Sequence, residues 1–246
     1  MRRPVYRMLD ALADRLLPPR CLLCGRAGQR PGFDLCAACD AELPHNESAC
    51  ARCGLPAPDA AVQGRYDDGA CESCTGRLLP FERCVAPLLY EFPVTTLVPA
   101  LKYEDALSHA RVLGLLLARH VRRCQGATDV DRVVPMPLHR ARLAERGYNQ
   151  SYEIARFAAG DLGLPLAPRA LRRVRPTTPQ VGLDRAARHD NVRGAFAADA
   201  AHARGLRIAL LDDVVTTAST VEAAARALLD AGARRVDVWC VARAQA

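Results

Sequence analysis

RIALLDDVVTTASTVEAAARALLDAG, residues Arg207 to Gly232, changes character twice along its length. Ile208 to Leu211 is a short apolar run of the kind that is buried, and it ends on two adjacent carboxylates, Asp212 and Asp213. After Val214 and Val215 comes a hydroxyl-rich turn, Thr216, Thr217, Ala218, Ser219 and Thr220. Beyond it Val221, Ala224, Ala225, Leu228 and Leu229 recur at i, i+3, i+4, i+7 and i+8, one apolar face of a helix. Gly232 stands where a helix C-terminal cap is expected. The stretch predicts strand, polar turn, helix.

That order has a physical use. A turn leading into a helix N-terminus presents free N–H groups and the positive end of the dipole, which suits a phosphate. Hydroxyls add further donors. Acids at the carboxyl end of a strand lie where open α/β sheets bind ligands, and carboxylates accept from sugar hydroxyls or hold Mg²⁺ directly or through water. Acids for a sugar beside a nest for its phosphate suggest a ribose-5-phosphate moiety. Plainer readings stand beside this one. Ser219-x-x-Glu222 fits a capping box, and Asp pairs at strand ends are often solvated turn residues. Taken together, Ile208 to Thr220 resemble the diphosphate-sugar motif of type I phosphoribosyltransferases, in which a hydrophobic run, Asp-Asp and a Thr-Thr-Gly-Ala-Thr-like loop follow one another. One position departs from that pattern, with Ala218 where the family usually has glycine. If the residue needs a positive φ, alanine costs about 1–2 kcal/mol there.

With 246 residues, half of them apolar, the chain is long enough for one large core plus a small module. The net charge of +7 comes almost wholly from arginine, and Lys102 is the only lysine. A basic balance is compatible with phosphates, nucleic acid or an acidic membrane surface, and scattered as it is here it selects none of them. No apolar run approaches the roughly 18 residues of a spanning helix. Asp10, Asp14 and Arg15 interrupt the N-terminus, so it does not read as a signal peptide. Val5, Met8, Leu9, Leu12 and Leu16 instead mark an amphipathic helix within residues 1–20, expected to dock on the protein's own core. A cytoplasmic protein is expected.

Residues 21–80 carry four Cys-x-x-Cys pairs: Cys21/Cys24, Cys36/Cys39, Cys50/Cys53 and Cys71/Cys74. Cys21-Leu-Leu-Cys24-Gly25 and Cys50-Ala-Arg-Cys53-Gly54 continue as knuckles, where glycine permits the tight turn that points two sulfurs at one ion. Four pairs supply two tetrahedral Cys₄ zinc sites, and metal would replace the core that a Gly-, Pro- and Asp-rich stretch lacks. Disulfides need an oxidising compartment. Ligand type alone admits an iron–sulfur cluster, but four regular pairs favour zinc. Consecutive pairing on the two ions is the preferred arrangement, with an interleaved one open. Cys84, Cys124 and Cys240 fall outside this spacing and read as ordinary thiols. The module lacks the basic and aromatic interleaving of a nucleic-acid binder, with only Arg52 and Arg65 as obvious candidate contacts, so a structural role is its default.

Residues 81–246 read as a second domain. Val85 to Phe92 is strand-like, two helices flank the Lys102-Tyr103 turn, and Asp131 to Pro137 is a short buried strand ending in two prolines. Arg140, Arg142 and Arg146 follow that strand's carboxyl end, the topological place for a ligand, and their planar forks suit pyrophosphate; a solvated helix face is the plainer reading. Arg235 to Val241 is a further short strand. The fold class is α/β, a parallel sheet.

VPMPLHRARLAERGYNQ, Leu101-Lys102-Tyr103 and the later LRRVRPTTPQVGLDRAARHDNVRGAF resemble the ComF family of competence-associated proteins, in the same order throughout. The family joins an N-terminal double zinc ribbon to a type I phosphoribosyltransferase-like domain. Arg146-Gly147-Tyr148-Asn149-Gln150 matches its Arg-Gly-aromatic-Asn-Gln signature, and Thr178-Pro179-Gln180, Leu183, Arg188, Asn191 and Gly194-Ala195-Phe196 match its next block. Breakers from Pro176 to Gly182 fit the mobile lid that related transferases carry. The resemblance implies phosphoribosyl pyrophosphate as ligand, with Asp212 and Asp213 on the ribose hydroxyls and Mg²⁺, and Thr216, Thr217, Ala218, Ser219 and Thr220 around the 5-phosphate. Arg140, Arg142 and Arg146 would stabilise the leaving pyrophosphate, and Lys102 would add an anion contact. If the protein is an enzyme, a nitrogen base would be the acceptor. The setting implied is DNA uptake for natural transformation, or nucleotide salvage. The alternative is a non-catalytic ligand sensor or single-stranded-DNA-binding factor working with other uptake proteins.

Overall fold

The computed structural model describes residues 19–29, 32–56, 71–124, 126–175 and 194–245. The helix expected within residues 1–20, Arg65, the expected lid from Pro176 to Gly182 and the motif positions Leu183, Arg188 and Asn191 lie outside the described residues. Within the cysteine-rich region a short helix spans Ala37–Ala41 (α1). Two short strands follow, Cys84–Val85 (β1) and Leu88–Leu89 (β2), then helices Val94–Tyr103 (α2) and Leu107–Arg123 (α3). Next come strand Arg132–Pro135 (β3) and helices Arg140–Arg146 (α4) and Gln150–Leu162 (α5). Strands Leu171–Arg173 (β4) and Phe196–Ala198 (β5) form a separate antiparallel ribbon. The chain then runs through helix Ala200–Ala203 (α6), strand Arg207–Val215 (β6), helix Ser219–Asp230 (α7) and strand Arg235–Arg243 (β7).

β6 is central. It pairs with β3 on one side and β7 on the other, and β1 and β2 pair with the outer edge of β7, every pairing parallel. A parallel sheet is covered on both faces, so its strands read as continuous apolar runs without alternation. Ala209, Leu211, Trp239 and Val241 pack under α2, α3 and α5, together with Phe33, Leu35 and Leu43 of the cysteine-rich region. Ile208, Leu210, Val238 and Cys240 pack on the other face under α7 and the β4–β5 ribbon. Each fully buried Leu, Ile, Val or Phe among these contributes roughly 1.5–3 kcal/mol. The cysteine-rich region therefore has more apolar content at work than its composition suggests, because its few large side chains enter the core of the sheet. No helix among the described residues is long and apolar enough to cross a membrane.

The α3–α5 crossing sets where the amino end of α5 lies. Gly114 lets the two backbones touch: a Cβ there would sit 2.6 Å from the Ile154 carbonyl oxygen and 2.9 Å from Phe157 Cβ. Gly114→Ala is expected to lower stability by about 1–3 kcal/mol through overpacking, read as a lower urea midpoint at unchanged slope.

Candidate functional site

β6 runs through both acids before it ends, and the two are held differently. Asp213 is buried, and its Oδ1 accepts from Lys102 Nζ at 2.9 Å and from the Val214 N–H at 2.6 Å. Its Oδ2 is buried without a hydrogen-bond partner among the described residues. Lys102, in the last turn of α2, is raised in pKa: burial works against its charge, but the Asp213 carboxylate outweighs it. The only lysine of the chain thus faces an acid directly. Asp212 Oδ1 accepts from Ser151 Oγ at 3.0 Å and from the Asp213 N–H at 2.9 Å. Burial, and then the charge of Asp213, push the Asp212 carboxyl up to about 7, against the pull of Lys102.

The loop after β6 leads within four residues into a helix N-terminus. Ala218 is the N-cap of α7 and sits in the left-handed region, φ 63 and ψ −10. Holding alanine there costs about 1–2 kcal/mol, and strain of this kind collects at functional sites. The first-turn N–H groups of a helix have no intrahelical acceptor, so α7 turns its donors and positive dipole end toward the end of β6. Thr217 Oγ1 lies 3.4 Å from Ser219 Oγ. The capping box expected from Ser219 and Glu222 is not formed. The cap position falls on Ala218, which has no side-chain acceptor, and Glu222 instead accepts from Arg77 Nη2 at 2.6 Å.

The Arg146–Gln150 motif is a joint between two helices. Gly147, φ 80, ends α4 in the left-handed conformation. Asn149 caps α5 by accepting from the N–H groups of Ser151 and Tyr152, while its Nδ2 donates to the Met136 carbonyl at 2.9 Å. Tyr148 Oη donates to the Leu101 carbonyl, and Arg146 Nη1 donates to Gln150 Oε1 at 2.6 Å. These bonds pin α2, β3 and α5 together, and so place Lys102 and Ser151 on the two acids. Arg146 also lies over the Tyr103 ring at 5.2 Å. Lys102, Tyr103, Asp105, Arg142, Glu145 and Arg146 line a cleft of about 280 Å³. Arg140 and Arg142 are exposed on α4, and Arg140 is not among the cleft's lining residues.

The eight cysteines form two clusters, Cys21/Cys24/Cys36/Cys39 and Cys50/Cys53/Cys71/Cys74, each with its sulfurs within 4.8 Å of one another. Consecutive pairing is therefore the arrangement present. The Cys24–Cys36 and Cys53–Cys71 sulfurs are 3.6 Å apart, close to the about 3.8 Å edge of a tetrahedron with 2.3 Å zinc–sulfur bonds. Gly25 and Gly54 take φ 73 and 70 and donate back to the Cys21 and Cys50 carbonyls at 2.8 Å, the expected knuckle turns. In the second cluster the Cys53 thiol bonds to Cys50 and, against burial and helped by the N–H groups of Cys53, Cys71 and Arg52, brings its pKa down to about 4. The same contact drives Cys53 up. The sites fit structural zinc, which would replace these shared protons.

Residues without a motif signal complete the arrangement. Ser151 follows the signature by one position and reaches Asp212. Arg173 of β4 places its charge near Asp212 and Arg142. Arg119 of α3 grips Asp40 with two bonds of 2.6 and 2.7 Å, docking the first cluster, and Arg243 reaches the second cluster from the end of β7. A lone arginine in an apolar strand carries no pattern that sequence spacing can read.

Comparison with known proteins agrees with this architecture. The double zinc ribbon domain model matches residues 12–75, and the phosphoribosyl transferase domain model matches residues 158–246. DNA utilization protein YhgH of Salmonella typhimurium is 34% identical over 230 residues, covering 92% of this chain and 98% of its own length. Competence protein F of Haemophilus influenzae is 27% identical over 230 residues, 92% of this chain and 97% of its own. Among solved structures, the glutamine phosphoribosylpyrophosphate amidotransferase from B. subtilis matches 53% of this chain and 25% of its own at 23% identity, with a TM-score of 0.37, a superposition too loose to bear on the site.

Two measurements test the site without a ligand. Ala218→Gly is expected to stabilise the protein by up to about 1 kcal/mol, the left-handed cost less glycine's larger unfolded-state entropy. Because the folded-state pKa of Asp212 stands above its ordinary 3.8, the folded protein holds that proton more tightly than the unfolded chain. This contribution to stability is full at low pH and is lost as pH rises from about 4 through 7. Asp212→Asn should therefore gain stability relative to wild type between pH 5 and pH 8 in denaturant titrations; a constant difference would refute the assignment.

Proposed function

This chain belongs to the ComF family of competence-associated proteins, and on that premise we propose that the end of β6 binds phosphoribosyl pyrophosphate. Ala218 carries the reading. A residue without a side-chain cap is kept in the left-handed conformation that the family's glycine adopts freely, so the loop keeps a phosphate cradle in spite of the substitution. Thr216 to Thr220 surround the 5-phosphate with N–H and hydroxyl donors. Asp212 and Asp213 accept from the ribose hydroxyls, and the unpartnered Asp213 Oδ2 is an acceptor in reserve. Mg²⁺, when bound, neutralises the pyrophosphate and binds carboxylate or water oxygens. Arg142 and Arg146 face the pyrophosphate from the cleft they share with Lys102, and Arg140 adds charge at its rim. Lys102 holds Asp213 in place through its 2.9 Å contact, in addition to any contact with the anion.

Such a site supports displacement at the anomeric carbon: a nitrogen nucleophile forms the new bond as the bond to pyrophosphate breaks. The transition state is oxocarbenium-like, and preorganised arginines stabilise the charge on the leaving group. The relatives named for DNA utilization and competence support a place for this binding in the handling of incoming DNA. The exposed Arg140 and Arg142 favour a second reading, a non-catalytic factor that holds single-stranded DNA by salt-dependent phosphate contacts.

Calorimetric titration with phosphoribosyl pyrophosphate and Mg²⁺ separates the two. Saturable binding is expected, weakened at least about tenfold by Asp212→Asn with Asp213→Asn, as for lost hydrogen bonds to charged groups. Single-stranded DNA binding should not weaken when two negative charges are removed. No binding at millimolar ligand, or equal binding by the double variant, would overturn the proposal.

A further inference from the structure

Arg243 closes β7 and is 3% exposed. Its Nε donates to the Cys53 carbonyl at 2.9 Å, and its Nη1 reaches the carbonyls of Val215 at 2.8 Å, Ala244 at 2.8 Å, and Thr216. Among the described residues no carboxylate lies within ion-pair distance of it. A buried guanidinium held by neutral carbonyls costs desolvation that a nearby negative charge offsets. The second cysteine cluster supplies one, since four thiolates around a divalent ion carry two net negative charges. One side chain thus joins a ligand residue of that cluster to the two carbonyls at the start of the phosphate loop.

A second tie reaches the far side of the loop. Arg77, three residues beyond Cys74, donates to Glu222 in the first turn of α7 at 2.6 Å. The knuckle itself is pressed against the sheet. A Cβ on Gly54 would lie 3.0 Å from Cys84 Sγ, the Cys84 N–H donates to the Ala51 carbonyl at 3.3 Å, and Asn46 Nδ2 donates to the Gly54 carbonyl at 2.9 Å. The first cluster has its own anchorage on α3 through Asp40 and Arg119.

We infer that Arg243 is a positioning residue that couples the phosphate loop to the metal state of the second cysteine cluster, so that loading this cluster raises the loop's affinity for a phosphorylated sugar. The identity of the sugar rests on the phosphoribosyl reading above; the coupling does not. Metal at Cys50, Cys53, Cys71 and Cys74 fixes the knuckle carbonyl that Arg243 Nε holds, and Arg243 Nη1 then fixes Val215 and Thr216. When the knuckle opens, the guanidinium loses an anchor and its compensating charge, and the loop loses the support that keeps Ala218 in an unfavourable conformation. Coupling of this kind is reciprocal, so a ligand in the loop must raise the second cluster's affinity for metal.

The test is amide hydrogen exchange over residues 214–222 in the zinc-loaded full chain, with β3 and α5 as internal references. Exchange there is expected to speed up on the order of tenfold or more in Cys71→Ser and in Arg243→Lys, which keeps the charge but not the fork, and to stay as in wild type in Cys24→Ser. Arg243→Lys should keep zinc at both clusters yet bind phosphoribosyl pyrophosphate with Mg²⁺ on the order of tenfold more weakly. In chelator competition that ligand should protect zinc in the second cluster only. Unchanged loop exchange in both Cys71→Ser and Arg243→Lys would overturn the coupling, as would equal acceleration by Cys24→Ser. If Cys71→Ser does not fold, Arg243→Lys and Arg77→Ala decide by the same loop exchange. A wild type whose loop responds to these changes but binds no phosphoribosyl pyrophosphate would sink the ligand assignment and leave the coupling standing.

Discussion

Two adjacent carboxylates at the end of a buried strand repel each other and lose water, and much of this structure is arranged around that burden. Asp213 receives the one lysine of the chain and a backbone N–H. Asp212 receives a serine hydroxyl and a second backbone N–H, and still has its pKa driven up by burial and by its neighbour. Lysine and serine arrive on different helices, and what brings those helices to the strand end is the Arg146–Gln150 joint. Its tyrosine holds the end of α2, and its asparagine caps α5 while gripping the exit of β3. An unfavourable pair of acids in a ligand-free protein is understandable if their purpose is to be completed by hydroxyls and a cation.

The loop beyond the acids carries a second local cost. Glycine would hold the left-handed position without strain, yet the chain has alanine there. Surrounding contacts over-determine the conformation. Arg243 fixes the carbonyls before it, and Arg77 fixes the helix turn after it through Glu222. Both arginines connect to the second cysteine cluster, so that module serves the loop as a brace. The first cluster is different in kind. It enters the main core through Phe33, Leu35 and Leu43 and is clamped to α3 by a bidentate ion pair, the strong geometry for a guanidinium and a carboxylate.

Much of this was legible in the residues. The apolar run, the paired acids, the hydroxyl-rich turn and the helical periodicity after it lie within one stretch of chain, and local order is what sequence patterns encode. The four Cys-x-x-Cys pairs were equally plain, because a metal knuckle is a local turn with glycine at a set offset. The capping box at Ser219 and Glu222 was misleading for the opposite reason. Its spacing is correct, but Glu222 found a partner from a distant part of the chain, 145 positions away. Lys102 and Ser151 stood in the right neighbourhoods, with nothing in their surroundings to say which carboxylate each would meet.

The sequence alone therefore determined the class of sheet, the cysteine module and the strand end, with its paired acids and hydroxyl-rich turn, at which a sugar-phosphate site is proposed, since each depends on residues a few positions apart. Tertiary structure alone decided how the cysteines group, which cation faces which acid, and that an arginine closing the last strand ties the loop after β6 to the second cluster. Those contacts join positions up to 190 residues apart, and among them the reach of Arg243 to Val215 depends on the pairing of β6 with β7.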